Sequence, residues 1–229
     1  MDDFWIWALG IGTLFSIAVG VSIRRIRKRR AEYELIAPRL GYQINPERVG
    51  EWMEIPPEEL VAGFQRLPMS EHYRTHSKSF SFVLIRGEGA RTFYLFDFWE
   101  RKPSGRSTTA VRFTALLMNS SACSFPRFAV GPQHRSFFFS GLETEKIGVD
   151  GLPTPFRVYG TDRAAIQSLF SAAGTASFWS EKTEWIVEGS GESLVAYKWN
   201  QVIPASELVE FESEGRELLH LFERSCSQR

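Results

Sequence analysis

Asp97 is the residue of this chain whose surroundings most favour unusual chemistry. It lies between Phe96 and Phe98 in an aromatic segment. If that segment is a strand, its two-residue period places Asp97 on one face with Phe93 and Leu95. A carboxylate among apolar side chains can hold a proton at neutral pH and act as an acid or base. Without a recognisable companion, a hydrogen-bonded structural anchor is the more frequent role. An enzyme site assembled around Asp97 from sequence-distant residues is therefore the alternative hypothesis.

His72 and His76 are spaced like metal ligands on a helix, because residues four apart share a helix face. A catalytic zinc needs a third ligand and usually the pattern His-Glu-x-x-His, whereas Tyr73 follows His72 here. We predict no metal site. Cys123 and Cys226 form no Cys-x-x-Cys motif, which is typical of free thiols in a reducing compartment.

Motifs of nucleophilic catalysis are absent from the sequence. Neither Gly-x-Ser-x-Gly nor Ser-x-x-Lys with its companions occurs. Gly189-Ser190-Gly191 lies within a hairpin pattern and lacks the Gly-Lys-Ser/Thr of a phosphate-binding loop. We predict no catalytic residue and no cofactor, and we favour a non-catalytic module that binds a partner protein or ligand.

The elements that would position these residues read as an antiparallel sheet with helices. Strand and turn patterns predict a three-stranded meander and a later hairpin. The segments of the meander are Phe80–Arg86, Arg91–Trp99 and Ser107–Leu117, and those of the hairpin are Trp185–Glu188 and Ser193–Trp199. Helical periodicity and capping residues predict helices at Pro57–Phe64, Arg163–Ala172 and Ala205–Arg224. The predicted fold class is α+β, with a mainly antiparallel sheet covered by helices.

A transmembrane helix is predicted before that domain. The twenty mostly apolar residues Phe4–Ile23 would form a helix of about 30 Å, the thickness of a bilayer core. A cleaved signal peptide is disfavoured, because the basic n-region, the short apolar core and the cleavage site are not present in order. A basic cluster follows, made of Arg24, Arg25, Arg27, Lys28, Arg29 and Arg30. Basic flanks stay in the cytoplasm, so we expect an inner-membrane protein with its N-terminus outside and its domain cytoplasmic.

Charge indicates which partners to expect. The first thirty residues hold six basic and two acidic side chains, which leaves 21 basic and 25 acidic side chains in the rest. That balance gives no field for nucleic acid, so we predict none is bound. The basic cluster would contact anionic lipid headgroups or only set topology. Small residues recur every four positions and favour a homodimer through the anchor. They are Ala8, Gly12, Ser16 and Gly20.

Three regions follow from these features. Residues 1–30 are the anchor and basic cluster, residues 31–56 a juxtamembrane helix and linker, and residues 57–229 the soluble α+β domain. In Phe93–Trp99, Phe125–Pro132 and Phe156–Asp162, the chain resembles a family of uncharacterised bacterial single-pass membrane proteins. The resemblance implies an N-terminal span, a cytosolic α+β domain and an inner-membrane location. It implies no activity and no catalytic residue.

Overall fold

The structure is a computed structural model that describes residues 2–49, 53–72, 78–104, 107–133, 145–173 and 175–227. The helices are α1 (Asp2–Leu40), α2 (Glu58–Arg66), α3 (Pro68–His72), α4 (Arg163–Ala173), α5 (Thr175–Glu181) and α6 (Leu208–Ser227). The first strands are β1 (Gln43–Ile44), β2 (Arg48–Val49), β3 (Met53–Glu54), β4 (Lys78–Glu88), β5 (Arg91–Ser104) and β6 (Ser107–Ser120). The later ones are β7 (Phe125–Pro132), β8 (Glu145–Ile147), β9 (Phe156–Gly160), β10 (Trp185–Gly191) and β11 (Ser193–Lys198).

Nine of the strands form one antiparallel sheet in the order β1-β4-β5-β6-β11-β10-β7-β9-β8, and β2 pairs with β3. The β4–β5–β6 meander occupies one half of the sheet. The β10–β11 hairpin is inserted beside it, with Tyr197 opposite Ala115. Glycines with positive φ stand at two of the turns, Gly89 at 61° and Gly191 at 58°, where a side chain would be strained.

Both faces of the sheet are buried. The helix-rich face packs against α4, α6 and the end of α1, and it carries residues such as Phe93 and Leu95. The opposite face packs against α2 and α3 and carries Tyr94, Phe96 and Phe98. Because successive residues of β5 enter two different cores, residues 93–96 form a continuous apolar run instead of alternating with polar residues.

Helix α1 ends at Leu40, and a glycine follows it. Gly41 has a φ of 73°, and its N–H donates to the carbonyl of Pro38 at 3.2 Å. The N–H of Tyr42 donates to the carbonyl of Ala37 at 2.9 Å, which completes a Schellman motif. The side chain of Arg86 adds a hydrogen bond to the carbonyl of Leu40 at 2.7 Å. The chain then turns directly into β1.

The prediction of a fold with an N-terminal transmembrane helix is wrong. Across the described ranges of the chain, no helix is long and apolar enough to cross a membrane. From Gly20 onward, α1 carries the basic cluster together with Glu32 and Glu34, so this part of the helix is strongly charged. Of the apolar residues that follow, Ile36, Ala37 and Leu40 are buried in the core. The predicted orientation, with the N-terminus outside, depended on that span.

The end of α1 is part of the core. Tyr33, Ile36, Ala37 and Leu40 are at most 9% exposed and belong to the same cluster as the helix-rich face of the sheet. The soluble domain placed at residues 57–229 therefore stays a prediction, and a truncation tests it.

Candidate functional site

Asp97 anchors helix α1 to the sheet. Its carboxylate accepts hydrogen bonds from the hydroxyls of Tyr33 at 2.8 Å and Thr114 at 2.7 Å. The guanidinium of Arg29 reaches both carboxylate oxygens, with Nε 3.1 Å from Oδ2 and Nη2 3.3 Å from Oδ1. Only 7% of Asp97 is exposed. We call Arg29, Tyr33, Asp97 and Thr114 the Asp97 clamp.

Three elements bring the clamp together. Asp97 and Thr114 stand directly opposite each other in the β5–β6 ladder, so their side chains share a face. Arg29 and Tyr33 are four residues apart on α1 and share a helix face. Thr114 also accepts a hydrogen bond from the backbone N–H of Ile203 at 2.9 Å. The clamp thus joins α1, the sheet and the segment that leads into α6.

A bulge in β4 lies beside the clamp. The pairing of β4 with β5 shifts between Ser81 and Leu84, and Phe82 has a φ of 56°. This left-handed conformation costs a phenylalanine on the order of 1 kcal/mol or more. The ring of Phe82 packs on Tyr33 with the ring centroids 5.4 Å apart. The aromatic contact with α1 offsets part of the strain.

The electrostatics of the clamp suit a structural anchor. Burial and the neighbouring Asp97 carboxylate raise the pKa of Tyr33 well above its usual value. Its hydroxyl therefore keeps its proton and donates a hydrogen bond to Asp97. Burial lowers the pKa of Arg29, but Tyr33 and Asp97 outweigh that effect and raise it overall. The guanidinium also lies 4.7 Å from the centroid of the Tyr33 ring. The alternative hypothesis, an acid-base role of Asp97, is disfavoured because its oxygens already bind three partners.

The structure divides the basic cluster into two groups. Arg24, Arg25, Arg27 and Lys28 are exposed along α1. Arg29 is committed to the clamp, and the Nε of half-buried Arg30 lies 3.0 Å from Glu34 one turn later. The sequence pattern treated all six residues alike. The signal that separates Arg29 is its shared helix face with buried Tyr33.

The predicted small-residue stripe is described only in part. Gly20 is exposed, and a Cβ built on it would meet nothing within 4 Å. The surroundings of Ala8, Gly12 and Ser16 are not described. The predicted homodimer therefore stays a prediction.

The predicted histidine pair, His72 and His76, is also not fully within the described residues. His76 and the side chain of His72 do not belong to the described part of the chain. Among the residues that are described, no group of three His, Cys, Asp or Glu side chains is placed to hold a metal ion.

A second buried carboxylate, Glu188 on β10, was missed by sequence reasoning. It accepts hydrogen bonds from the hydroxyl of Tyr197 and from the backbone N–H of Met69, both at 2.6 Å. Burial raises its pKa to about 7, against the lowering effect of those two donors and of Arg127. A Glu directly after the apolar run Trp185–Val187 of a predicted strand was the signal that could have identified it.

A third carboxylate joins serine and histidine. Glu223 accepts hydrogen bonds from Ser120 at 3.0 Å and Arg91 at 2.7 Å, and His220 Nδ1 lies 3.2 Å from its other oxygen. Burial raises the pKa of Glu223, but the hydrogen bonds from Arg91, His220 and Ser120 outweigh it and hold the pKa below the usual range. In a catalytic triad the imidazole stands between the hydroxyl and the acid. Here the carboxylate is the centre, so the arrangement ties α6 to the sheet.

A polar cleft of about 390 Å³ lies elsewhere on the molecule. Its walls come from α2, the β4–β5 turn, the end of β6 and the β10–β11 turn, and they include Glu59, Arg66, Asn119 and Glu192. Neither Asp97 nor Glu188 lines it.

The fold has a counterpart among solved structures. The crystal structure of the mycobacterial trehalose monomycolate transport factor A, TtfA, is similar with a TM-score of 0.53 and 11% sequence identity. The similarity covers 84% of this chain and 93% of that one. At this identity the likeness shows the fold alone. No family model matches the chain, and no curated protein matches it.

Proposed function

We propose that the protein is a non-catalytic, membrane-associated module that binds a partner protein or ligand at the cytoplasmic face of a bacterial inner membrane. The Asp97 clamp carries this proposal. It attaches the basic part of α1 to the sheet through Arg29. The exposed cations Arg24, Arg25, Arg27 and Lys28 directly precede Arg29 in the helix. The domain and its charged helix then move as one unit.

The exposed cations supply the membrane contact. Arg24, Arg25, Arg27 and Lys28 lie within five consecutive residues of one helix and are exposed. Each Lys or Arg near an anionic headgroup contributes about 1 kcal/mol, so the four together contribute about 4 kcal/mol at low salt. Screening by salt reduces this attraction.

The clamp also supports a binding role over the enzyme hypothesis. The carboxylate of Asp97 already serves Arg29, Tyr33 and Thr114. The polar cleft opens at another place on the sheet. The structurally similar protein is titled a trehalose monomycolate transport factor, and this title supports a transport-associated role.

Vesicle flotation of the full chain tests the membrane contact. Binding to phosphatidylglycerol-containing vesicles is compared with binding to phosphatidylcholine vesicles, so that the ratio isolates the electrostatic contribution. In the test variant, Arg24, Arg25, Arg27 and Lys28 are each replaced by Gln. We expect the ratio to fall about 1,000-fold at low salt, which corresponds to about 4 kcal/mol, and less at high salt.

A matched variant removes four exposed cations elsewhere. Its substitutions are Arg66→Gln, Lys146→Gln, Arg163→Gln and Arg224→Gln, which change the net charge by the same amount. We expect this variant to keep most of the preference for anionic vesicles. Equal losses in both variants would mean that total charge, and not the basic part of α1, determines binding, and the proposal would be overturned.

A further inference from the structure

The two cysteines meet where the end of α6 packs on the turn after β6. The Sγ of Cys123 lies 3.6 Å from the backbone oxygen of Glu223, one helical turn before Cys226. The Sγ of Cys226 lies 3.6 Å from the backbone oxygen of Ser124, the residue after Cys123. Each thiol therefore contacts the segment that carries the other.

The two thiols share one environment but differ in access. Cys123 is 5% exposed and belongs to the core of the helix-rich face. Cys226 packs against the same core and is partly exposed. A disulfide requires the two Cα atoms to be about 4.4 to 6.8 Å apart. Cys226 lies one residue before the end of α6, where a helix can fray to reach that spacing.

We propose that Cys123 and Cys226 are a modification site, a thiol pair that a peroxide converts to an intramolecular disulfide. The thiolate of Cys226 attacks one peroxide oxygen, the O–O bond breaks, and the other oxygen leaves as water after protonation. The resulting sulfenic acid is attacked by the sulfur of Cys123, and the S–O bond breaks with loss of a second water. Two thiols lose two electrons and two protons, and hydrogen peroxide is reduced to two waters. A thiol reductant reverses the step by exchange.

The disulfide would fasten the last turn of α6 to the turn that connects β6 with β7. The loop that the disulfide closes runs from residue 123 to residue 226 and includes β7, the hairpin strands β10 and β11, and most of α6. Closing a loop of this length restricts the unfolded chain. We expect the oxidised protein to unfold at a temperature several degrees higher than the reduced protein.

The test treats the reduced full chain with hydrogen peroxide, alkylates the remaining thiols in denaturant, and measures intact and peptide masses. We expect the mass to fall by two hydrogens, no alkylation, and a peptide pair joined through Cys123 and Cys226. The variant Cys123→Ser should stop at a sulfenic acid on Cys226, which dimedone traps. The variant Cys226→Ser should resist peroxide because Cys123 is buried.

A second measurement separates placement by the fold from chance encounter. In guanidinium chloride, the disulfide should form at least about ten-fold more slowly than in the folded protein. In the folded protein the native contact raises the effective concentration of the two thiols. Equal rates in folded and unfolded protein would overturn the proposal. Two other results would also overturn it. One is oxidation of Cys226 to a sulfinic acid while Cys123 stays a reduced thiol that the alkylating reagent labels. The other is a disulfide between two chains as the main product.

Discussion

Asp97 and Glu188 lie on opposite faces of one sheet, and each holds a helix to it by different chemistry. Asp97 binds α1 through the guanidinium of Arg29 and two hydroxyls. Glu188 binds the start of α3 through the backbone N–H of Met69, with a hydroxyl as its second donor. One carboxylate is paired with a cation at hydrogen-bond distance, whereas the hydrogen bonds described for the other come from neutral donors.

The difference has a physical consequence. A buried carboxylate beside a guanidinium has its charge balanced locally, and removing either partner leaves the other one buried and unpaired. A buried carboxylate with neutral donors is stabilised less in its charged form, and burial raises the pKa of Glu188 to about 7. We therefore expect the α1 attachment to be sensitive to substitution and the α3 attachment to be sensitive to pH.

Removing α1 should have the largest effect. A chain that begins at residue 57 lacks the Asp97 clamp and the buried residues of α1, among them Tyr33, Ile36 and Leu40. Burial of such side chains stabilises by about 1.5 to 3 kcal/mol each, so the total loss is about 5 kcal/mol or more. That is comparable with the whole stability of a domain. We expect this chain to aggregate or to unfold without a cooperative transition in urea.

A chain beginning at Arg24 is the matched control. It retains the clamp and the buried end of α1, and we expect a urea midpoint close to that of the full chain. A cooperative transition of the 57–229 chain at the same midpoint would instead confirm the predicted domain boundary. It would also show that the attachment of α1 to the sheet contributes little to the stability of the domain.

Asp97→Ala should have the next largest effect. The substitution leaves the guanidinium of Arg29 and the hydroxyl of Tyr33 without their shared acceptor, and both groups are largely buried. Breaking such a pair costs about 2 to 4 kcal/mol, allowing for its partial exposure. Urea unfolding at neutral pH measures this loss.

Glu34→Ala is the control for an exposed pair on the same helix. Glu34 pairs with Arg30 at 3.0 Å and is exposed, so its loss should cost about 0.5 kcal/mol or less. The double variant Arg29→Met with Asp97→Ala should be more stable than Asp97→Ala alone, because no unpaired charge remains. If Asp97→Ala costs no more than Glu34→Ala, the clamp is not an anchor.

The two carboxylates also show how far the sequence determines the fold. Local patterns predicted the β4–β5–β6 meander, the β10–β11 hairpin and α6, because turn glycines and apolar periodicity are properties of short segments. Gly41, with its positive φ after the end of α1, is a local signal of the same kind. Asp97 was identified because a charged residue inside an aromatic strand is unusual in the sequence itself.

The partners of both carboxylates could not be predicted in the same way. Arg29 is 68 residues from Asp97, and Met69 is 119 residues from Glu188, so each contact depends on the strand order. The twenty apolar residues at the start also misled the prediction of fold class, because hydropathy describes a segment alone. It does not show that the helix continues into the core of the domain.

Titration of Glu188 gives the smallest expected effect, and its sign follows from proton binding. Its pKa rises from 4.5 to about 7 in the folded protein. Between these values the folded protein binds a proton that the unfolded chain has released, so stability falls as the pH rises. Above about pH 7 both states are ionised and the slope ends. The full change amounts to about 3 kcal/mol as an upper value.

Glu188→Gln should remove that slope. The amide oxygen can still accept from the backbone N–H of Met69, and the Tyr197 hydroxyl can turn to accept from the amide NH2, while the side chain no longer ionises. We expect the variant to lose stability relative to the parent near pH 4.5 and to gain about 1 to 2 kcal/mol on it near pH 8. Glu192→Gln, at an exposed carboxylate of the adjacent turn, should leave the slope unchanged. Parallel curves of urea midpoint against pH for Glu188→Gln and the parent would contradict the prediction. The α3 attachment would then be no more sensitive to pH than the rest of the protein.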